Sequence, residues 1–463
     1  MAYASKNGRK PMEMASKTSH SHIIRHVLVQ EFLQACNIPQ PADSEVVSLQ
    51  VVPVEPPIED RVRLVITIDG GFTEVSIQEK FPSSSYTFYN FGALLFEKAD
   101  LQTLHEKPFI DPEDMAKLRN IQRFPYVLPT KNICLNHCAS LVESVRWSIF
   151  DFFRKPYDGE KPLMHALRWL LFQEYNPNIA NRMWVLASCP TCHEPHIQIP
   201  AGIVDQLKCP TCSSLIYLTD VFRLHEAVDN EQGAGGILGY LMAVLEQMLL
   251  VHLVKTVWEM KKNLLPEILF VRDGPLAFFG QTANMHEPMR RLMNYLTTRP
   301  HPNGQGTMNY MNLVGVEKSG PFVEHANAIH DSIPPEHALI LNNDYIYRYI
   351  TPGAGDSSQP FGRTSYYGSK VIFKAIDGNV YVLTLPSLEP LLKPTISDLG
   401  NFNLVLHNIA KLKCHMYDNA LVPVALVNKL VSLSDHPSRK ILSAFAKAQT
   451  AHSSTEIHYD GST

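Results

Sequence analysis

An apolar run at residues 237–254, ILGYLMAVLEQMLLVHLV, constrains the fold more than any other feature of the sequence. A helix that is apolar on every side has to be buried. The run approaches the length of a membrane span, but Glu246, Gln247 and His252 interrupt it, so a buried helix over 237–262 is the better interpretation. A chain of 463 residues with 45% hydrophobic content can build a core around such a helix.

Three acidic residues stand in otherwise apolar elements. Glu246 lies within the buried helix, while Asp69 ends a predicted strand at 62–69 and Asp273 ends another at 267–273. A carboxylate in apolar surroundings is costly unless it is paired or binds a cation. Two strands and a helix that bring carboxylates to one point form a divalent-metal site. The sequence therefore predicts Mn²⁺ or Mg²⁺ bound by Asp69, Glu246 and Asp273, and metal-assisted phosphodiester hydrolysis.

Each of these residues also has a purely structural interpretation. Both aspartates precede glycine, and Asp-Gly is a common turn dipeptide. The Glu246 carboxylate could pair with Lys255 or with an arginine not yet identified, and Glu143 and Glu259 are competing acids. Lys318, at the end of a predicted strand at 310–317, could steady the scissile phosphate, or it could be a solvated surface lysine.

Four of the eight cysteines form two CPTC pairs, Cys189 with Cys192 and Cys209 with Cys212. The spacing of the pairs is typical of a zinc ribbon, here placed at 185–220. Four thiolates close the coordination shell and leave no position for a catalytic water, so the predicted Zn²⁺ is structural. Whether the ribbon contacts DNA or protein is open. The other cysteines show no regular spacing, and residues 1–20 lack the apolar core of a secretory signal, so we expect a reduced, cytoplasmic protein.

The order of predicted elements indicates the fold class. Strands at 62–69, 72–80 and 85–97, with a tight turn at Gly70-Gly71, precede a helical, loop-rich insertion at 98–180 and the zinc ribbon. The buried helix, strand 267–273, a helix at 286–298 and strand 310–317 follow. This order predicts a mixed α/β, ribonuclease-H-like sheet with flanking helices, an inserted zinc ribbon and a C-terminal α+β extension. The extension contains strands near 338–348 and 371–384 and helices over 401–448.

The predicted domain organisation follows from these elements. Residues 1–58 form a tail, a helix at 22–36 and a Pro-rich linker. Residues 59–330 form the ribonuclease-H-like nuclease core, 331–448 its C-terminal part, and 449–463 a disordered tail.

Charge and motifs limit the classes of nucleic-acid protein that fit. The net charge of -4 argues against a protein that coats duplex DNA, so bound DNA is expected in a local groove. Tyr366 and Tyr367 could stack on bases in such a groove, although packing is the more common role of such a pair. No GxxxxGK[ST] segment occurs in the sequence, so a P-loop motor would have to be a separate protein.

The segments IDGG, VRDGPL and LVGVEKSG, in this order, resemble the NurA nuclease family over most of residues 60–440. The resemblance implies a dimeric, manganese-dependent deoxyribonuclease that acts with a HerA-like hexameric DNA-translocating ATPase. It matches Asp69, Glu246 and Asp273 to the family's metal ligands and Lys318 to its strand-end lysine. The family's late histidine is not evident, so the fourth ligand is open among three candidates: Asn428, Asp435 and His436.

The function predicted from this resemblance is exonuclease or single-strand endonuclease activity in DNA end processing or phage defence, without a membrane. Two other interpretations remain at this stage. The chain could be a nuclease-like subunit without metal chemistry that binds DNA or serves as an adaptor for a ring ATPase. It could also be a zinc-ribbon transcription or assembly factor, which would leave most of the chain unexplained.

Overall fold

The computed structural model describes residues 18–36, 38, 41–42, 47, 50–78, 81–105, 121–157, 159–202, 205–297, 299–300, 307–351, 358–414, 419–433 and 436–455. The strands are β1 Val51–Pro53, β2 Leu64–Gln78, β3 Ser84–Glu97, β4 Ile121–Lys131, β5 Met183–Ser188, β6 Pro195–Pro200, β7 Gln206–Lys208, β8 Leu215–Tyr217, β9 Ile268–Asp273, β10 Arg299–Pro300, β11 Thr307–Met308, β12 Asn312–Glu317, β13 His337–Ile340, β14 Gly368–Lys374 and β15 Val380–Pro386. The α-helices are α1 Thr18–Arg25, α2 Val27–Ala35, α3 Lys98–His105, α4 Leu141–Arg154, α5 Leu163–Leu171, α6 Leu238–Lys261, α7 His286–Thr297, α8 Pro321–Ala328, α9 Asn343–Tyr349, α10 Phe402–Ala410, α11 Val422–Val431 and α12 His436–Thr455.

A nine-stranded mixed sheet in the order β1-β13-β14-β15-β12-β9-β2-β3-β4 organises the molecule. The central strand β2 runs parallel to β9, and β9 runs parallel to β12. On the other side of β2, strands β3 and β4 follow as antiparallel neighbours. This is the arrangement of a ribonuclease-H-like sheet, and the predicted fold class is confirmed.

Helices cover both faces of the sheet, which explains why its central strands are apolar in both directions. On one face, α6 packs against Ile66, Ile68 and Phe270, together with α4 and α5. On the other face, α10 and α11 pack against Val65, Val271 and neighbouring residues. The segment around α6, Gly235–Glu267, is long and apolar enough to cross a membrane by composition, but 78% of its most apolar window is buried inside the structure.

The predicted turn at Gly70-Gly71 is wrong, because β2 continues through both glycines to Gln78. Asp69 therefore lies within a long strand and does not end one. The glycines allow two helices to approach the sheet closely. A Cβ atom at Gly70 would lie 2.5 Å from the Met242 side chain of α6, and one at Gly71 would lie 3.1 Å from the Val431 carbonyl oxygen of α11.

Two further local predictions are wrong. The insertion at 98–180 contains strand β4, whose Pro125 and Pro129 concealed it. Strand β4 tolerates them because, within the described part of the chain, it is an edge strand paired only with β3. The strand predicted over 338–348 ends at Ile340, and helix α9 begins instead because the Asn342 side chain accepts a hydrogen bond from the Tyr345 amide.

The chain termini also differ from expectation. The single predicted helix at 22–36 is two helices, α1 and α2, and α12 extends to Thr455, into the segment where a disordered tail is predicted. Residues 1–17 and 456–463 lie outside the described part of the chain.

A glycine in β12 holds the loop after β9 close to the sheet, and its replacement should destabilise the protein. A Cβ atom at Gly315 would lie 2.5 Å from the Gly274 carbonyl oxygen and 3.0 Å from the Leu276 amide nitrogen. Because backbone atoms cannot rotate away, we expect Gly315→Ala to lower the free energy of unfolding by about 1–3 kcal/mol in urea denaturation. Gly239→Ala in α6, where nothing lies within 4 Å of the added atom, is the matched control. Equal stability of both variants would contradict this reading of Gly315.

Candidate metal centres and active site

Asp69 and Asp273 lie side by side at the centre of the sheet. Ile68 of β2 pairs with Arg272 of β9 in the parallel register, so the aspartates that follow them are neighbours. Side chains alternate between the faces of a sheet, and both aspartates fall on the face of Val65 and Val271, which α10 and α11 cover. The sheet thus places two carboxylates close together on one face.

Asp69 is the more deeply buried of the two, with only 4% of the residue exposed. Its Oδ1 accepts a hydrogen bond of 2.7 Å from the Gly70 amide, whereas its buried Oδ2 has no hydrogen-bond partner among the described residues. Burial and the nearby charge of Asp273 raise the pKa of Asp69 to about 7. A buried carboxylate oxygen without a partner, next to a second carboxylate, is the environment that a cation would stabilise.

Lys318 meets Asp273 from the next strand. Its Nζ lies 2.6 Å from Oδ2 of Asp273, and 37% of the lysine side chain is exposed. Lys318 immediately follows β12, which is parallel to β9, so the lysine and the aspartate emerge at the same edge of the sheet. The lysine therefore partly neutralises the carboxylate pair.

Among the candidates for the fourth ligand, Asn428 lies beside the carboxylates. It belongs to α11, and its side chain comes near enough to Asp69 to lower the pKa of that carboxyl group, although it makes no hydrogen bond of ordinary length to Oδ2. Asp435 lies outside the described residues, and the side chain of His436 is also outside them.

Glu246 does not join this group. It lies on α6, which covers the opposite face of the sheet, and its Oε2 accepts a 2.8 Å hydrogen bond from Nη2 of Arg272. Burial, together with the charges of Asp69 and Asp273, raises the pKa of Glu246 to about 8 against the opposing effect of Arg272. The expected convergence of three carboxylates is therefore not observed; across the described chain, only the four cysteines bring three or more ligand atoms within 4.8 Å of one another.

Sequence reasoning left an arginine partner for Glu246 open, and Arg272 is that residue. Lys255, the other candidate, instead pairs with Glu259. The signal for Arg272 was present, because it is the one cation in the apolar strand ILFVRD and directly precedes Asp273. A charged residue in a buried strand needs a partner of opposite charge.

The remaining predicted candidates have structural roles. Glu143 accepts a hydrogen bond from the Ala139 amide at the start of α4, and Glu259 forms ion pairs with Lys161 and Lys255. Tyr367 is fully buried and donates a hydrogen bond to Gln247, and Tyr366 is buried among other aromatic rings, so the base-stacking interpretation of this pair is wrong.

A pocket of about 540 Å³ adjoins the carboxylate pair. Lys318, which contacts Asp273, and Asn428, which approaches Asp69, both line it. Its other walls come from α8, the start of β15 and the residues around α11. The carboxylates thus lie next to a concave surface of a size typical of small-molecule sites, about 300–1,000 Å³.

The four cysteines form a second centre at the ends of two hairpins, β5–β6 and β7–β8. The Sγ atoms of Cys189 and Cys212 are 3.8 Å apart, and those of Cys192 and Cys209 are 3.6 Å apart. Tetrahedral Zn–S bonds of about 2.3 Å place sulfur atoms about 3.8 Å apart. In both hairpins, the residue that follows the second cysteine of the pair has a left-handed backbone conformation. The geometry of the four thiolates fits a tetrahedral metal.

The fold and these two centres define a mixed α/β protein with a ribonuclease-H-like sheet, an aspartate pair and a four-cysteine ribbon. The chain is similar to two solved structures: "Crystal structure of the NurA nuclease from Sulfolobus solfataricus", with 7% identity and a TM-score of 0.35 over 96% of this chain and 100% of that one, and "Crystal structure of NurA with manganese", with 12% identity and a TM-score of 0.28 over 94% and 98%. At these values the likeness concerns the general course of the chain only. No protein-family model and no curated protein matches the sequence.

The raised pKa of Asp69 predicts that its replacement stabilises the protein. Because the pKa rises from 3.8 to about 7 on folding, the native state loses stability as pH rises through this interval and does not regain it above pH 7. We expect Asp69→Asn to raise the free energy of unfolding by about 2 kcal/mol at pH 8 without added divalent metal, and by much less near pH 4. Urea denaturation of both proteins at the two pH values measures this difference.

The exposed Asp331 supplies the control, since Asp331→Asn should change stability little at either pH. If Asp69→Asn is instead less stable than the natural chain at pH 8, the ionised Asp69 carboxylate does not destabilise the fold in the absence of a cation.

Proposed function

We propose that this protein is a metal-dependent deoxyribonuclease whose divalent cation is held by Asp69 and Asp273. The observation that carries the proposal is the pair of neighbouring aspartates in which the buried Oδ2 of Asp69 lacks a partner. Asn428, whose side chain approaches Asp69, would supply its amide oxygen as a third ligand. Carboxylate and amide oxygens are the donors that Mg²⁺ and Mn²⁺ prefer. Glu246 enters this proposal as the partner of Arg272 and not as a ligand.

The surrounding residues support phosphodiester hydrolysis. A bound divalent cation would lower the pKa of an attacking water and neutralise charge on the leaving oxygen. Lys318, partly exposed beside Asp273, is placed to donate hydrogen bonds to a phosphate oxygen once the cation takes over that carboxylate. Because the pKa of Asp69 is raised to about 7, binding of such a cation near neutral pH would displace a proton from this carboxyl group.

We further propose that the four cysteines bind one structural Zn²⁺. Their sulfur separations match the tetrahedral geometry, and a closed thiolate shell has no place for a reacting water. The zinc would then maintain the ribbon and take no part in cleavage.

The DNA substrate and the partners of the protein are proposals that rest on the sequence resemblance. We propose a cytoplasmic homodimer that acts with a HerA-like hexameric ATPase in DNA end processing or phage defence. The absence of a P-loop motif from the sequence supports a separate motor.

The direct test is cleavage of labelled single-stranded DNA by the purified protein in Mn²⁺, in Mg²⁺ and without a divalent cation. We expect cleavage only with a divalent cation. Lack of cleavage under all conditions, also with the cognate ATPase and ATP present, would overturn the proposed activity.

One observation favours a second function, that of a DNA-binding or adaptor subunit without catalysis. Lys318 already contacts Asp273, and Arg272 already contacts Glu246, so two of the three acids already have a cationic side chain as partner. Calorimetric titration with Mn²⁺ separates the two functions. Binding that Asp69→Asn abolishes supports the nuclease, and no binding by the natural chain supports the adaptor.

A further inference from the structure

The pocket beside the aspartate pair has walls of two kinds. Its apolar wall is formed by aliphatic side chains of α8, β15 and the region of α11: Val323, Ala326, Val380, Val382, Ala420 and Ala425. Its polar rim is formed by three amides, Asn327, Asn419 and Asn428, by Lys318 and Lys429, and by Glu317, whose carboxylate is already paired with Lys370. A flat apolar ring fits the first kind of wall, and a charged, hydrogen-bonding group fits the second.

The amides provide both donors and acceptors, as the edge of a nucleobase requires. Asn419 is held in place, because its Oδ1 accepts a hydrogen bond from the Val380 amide and its Nδ2 lies 3.3 Å from Oδ1 of Asn327. Asn327 is exposed at the pocket side of α8, so the amide pair is accessible to a ligand. An ordered amide pair beside an aliphatic wall is suited to hold a base.

The lysines favour a phosphate on the same ligand. Lys318 links the pocket to Asp273, and Lys429 lies next to Asn428, which approaches Asp69. An ammonium group is a strong point charge for phosphate oxygens. A ligand with its base among the amides would therefore have its phosphate directed towards the carboxylate pair.

We propose that this pocket binds the terminal, unpaired nucleotide of a DNA strand and thereby positions the adjacent phosphodiester bond at the aspartate pair. The proposal rests on the proposed nuclease function and adds that the enzyme recognises strand ends. The volume of about 540 Å³ accommodates one nucleotide but not a base pair within a helix. A paired base would first have to leave the stack, at a cost of a few kcal/mol.

A tryptophan at position 327 tests the pocket with a matched neighbour. Asn327→Trp places a large ring in the pocket from an exposed helix position, and Ala328→Trp adds the same ring to the next, also exposed residue, which does not line it. Cleavage of a linear single strand is compared with cleavage of the same sequence as a circle, which has no ends. We expect Asn327→Trp to lower the ratio of linear to circular kcat/KM at least about tenfold and Ala328→Trp to leave it unchanged.

Binding of the mononucleotide dTMP supplies a measurement that does not need catalysis. Calorimetry should show that Asn327→Trp weakens dTMP binding at least about tenfold, while Ala328→Trp binds like the natural chain. Equal linear-to-circular ratios in both variants, or dTMP binding that is absent or unaffected by Asn327→Trp, would overturn the pocket assignment while leaving the nuclease intact. Absence of cleavage together with normal dTMP binding would instead overturn the nuclease and retain the pocket. Melting curves of both variants exclude misfolding as the cause of a change.

Discussion

Replacement of Asp273 by asparagine should reduce Mn²⁺-dependent DNA cleavage about 10³-fold, the scale found when one electrostatic group is removed from a reacting site. Asp273 is the partly exposed member of the aspartate pair and the one that contacts Lys318. Asparagine keeps the shape of the side chain but removes the negative charge that would bind the cation. Cleavage rates at saturating DNA, measured over a range of Mn²⁺ concentrations, test this expectation.

The controls separate charge at the site from charge elsewhere. Asp331→Asn removes a fully exposed carboxylate and should cleave at the natural rate. Asp69→Asn should lose activity like Asp273→Asn while gaining stability, which distinguishes loss of a ligand from loss of the fold. Full activity of Asp273→Asn in Mn²⁺ would exclude the aspartate pair as the reacting centre.

Glu246→Gln distinguishes two readings of the buried acid. As a member of a three-carboxylate site it would be as damaging as Asp273→Asn. As the partner of Arg272 on the other face of the sheet, it should act mainly through stability at pH 9, where Glu246, with a pKa of about 8, is ionised; the guanidinium would then remain buried without a counter-charge, at a cost of about 3–5 kcal/mol. If Glu246→Gln loses stability but keeps most of its activity, the chemistry takes place on the face of the aspartate pair. If it loses as much activity as Asp273→Asn, Glu246 is part of the reacting site.

The sequence predicted the fold well because hydrophobic patterning reports the central strands and α6 directly. Asp69, Asp273 and Lys318 were identified because a charge beside an apolar strand stands out. Their placement on one face of the sheet depends on the register of strand pairing, which the amino-acid sequence alone does not show. The two aspartates are neighbours because Ile68 pairs with Arg272, and Glu246 lies apart from them because α6 covers the other face.

Local signals failed where tertiary packing reversed their usual meaning. Gly70 and Gly71 read as a turn but permit close packing of Met242 and Val431 against β2. The prolines of β4 concealed an edge strand, and the Asn342 cap began a helix where a strand was predicted. Asn428 was one of three open candidates, and the packing of α11 on β2 places it near Asp69.

The four-cysteine centre should contribute much of the stability of the surface around α4. The ribbon packs against the main core through Ile197, Ile199 and Ile216. Arg146 of α4 donates hydrogen bonds to the Leu215 carbonyl of the ribbon and to Asp220, which follows it. Loss of the metal would release hairpins too short to fold alone and expose this surface to water.

Cys209→Ser should therefore reduce bound zinc from about one per chain to none and lower the free energy of unfolding by at least about 3 kcal/mol, a part of the binding energy typical of structural zinc. Cys209 is buried within the cluster, and Cys134→Ser is the control, because Cys134 is an exposed cysteine outside it. Metal analysis and urea denaturation measure the two quantities. A natural chain purified without zinc, or equal stability of the two serine variants, would show that the ribbon folds without metal.

Retention of DNA cleavage by a folded, zinc-free variant is also expected, because the closed thiolate shell holds no reacting water.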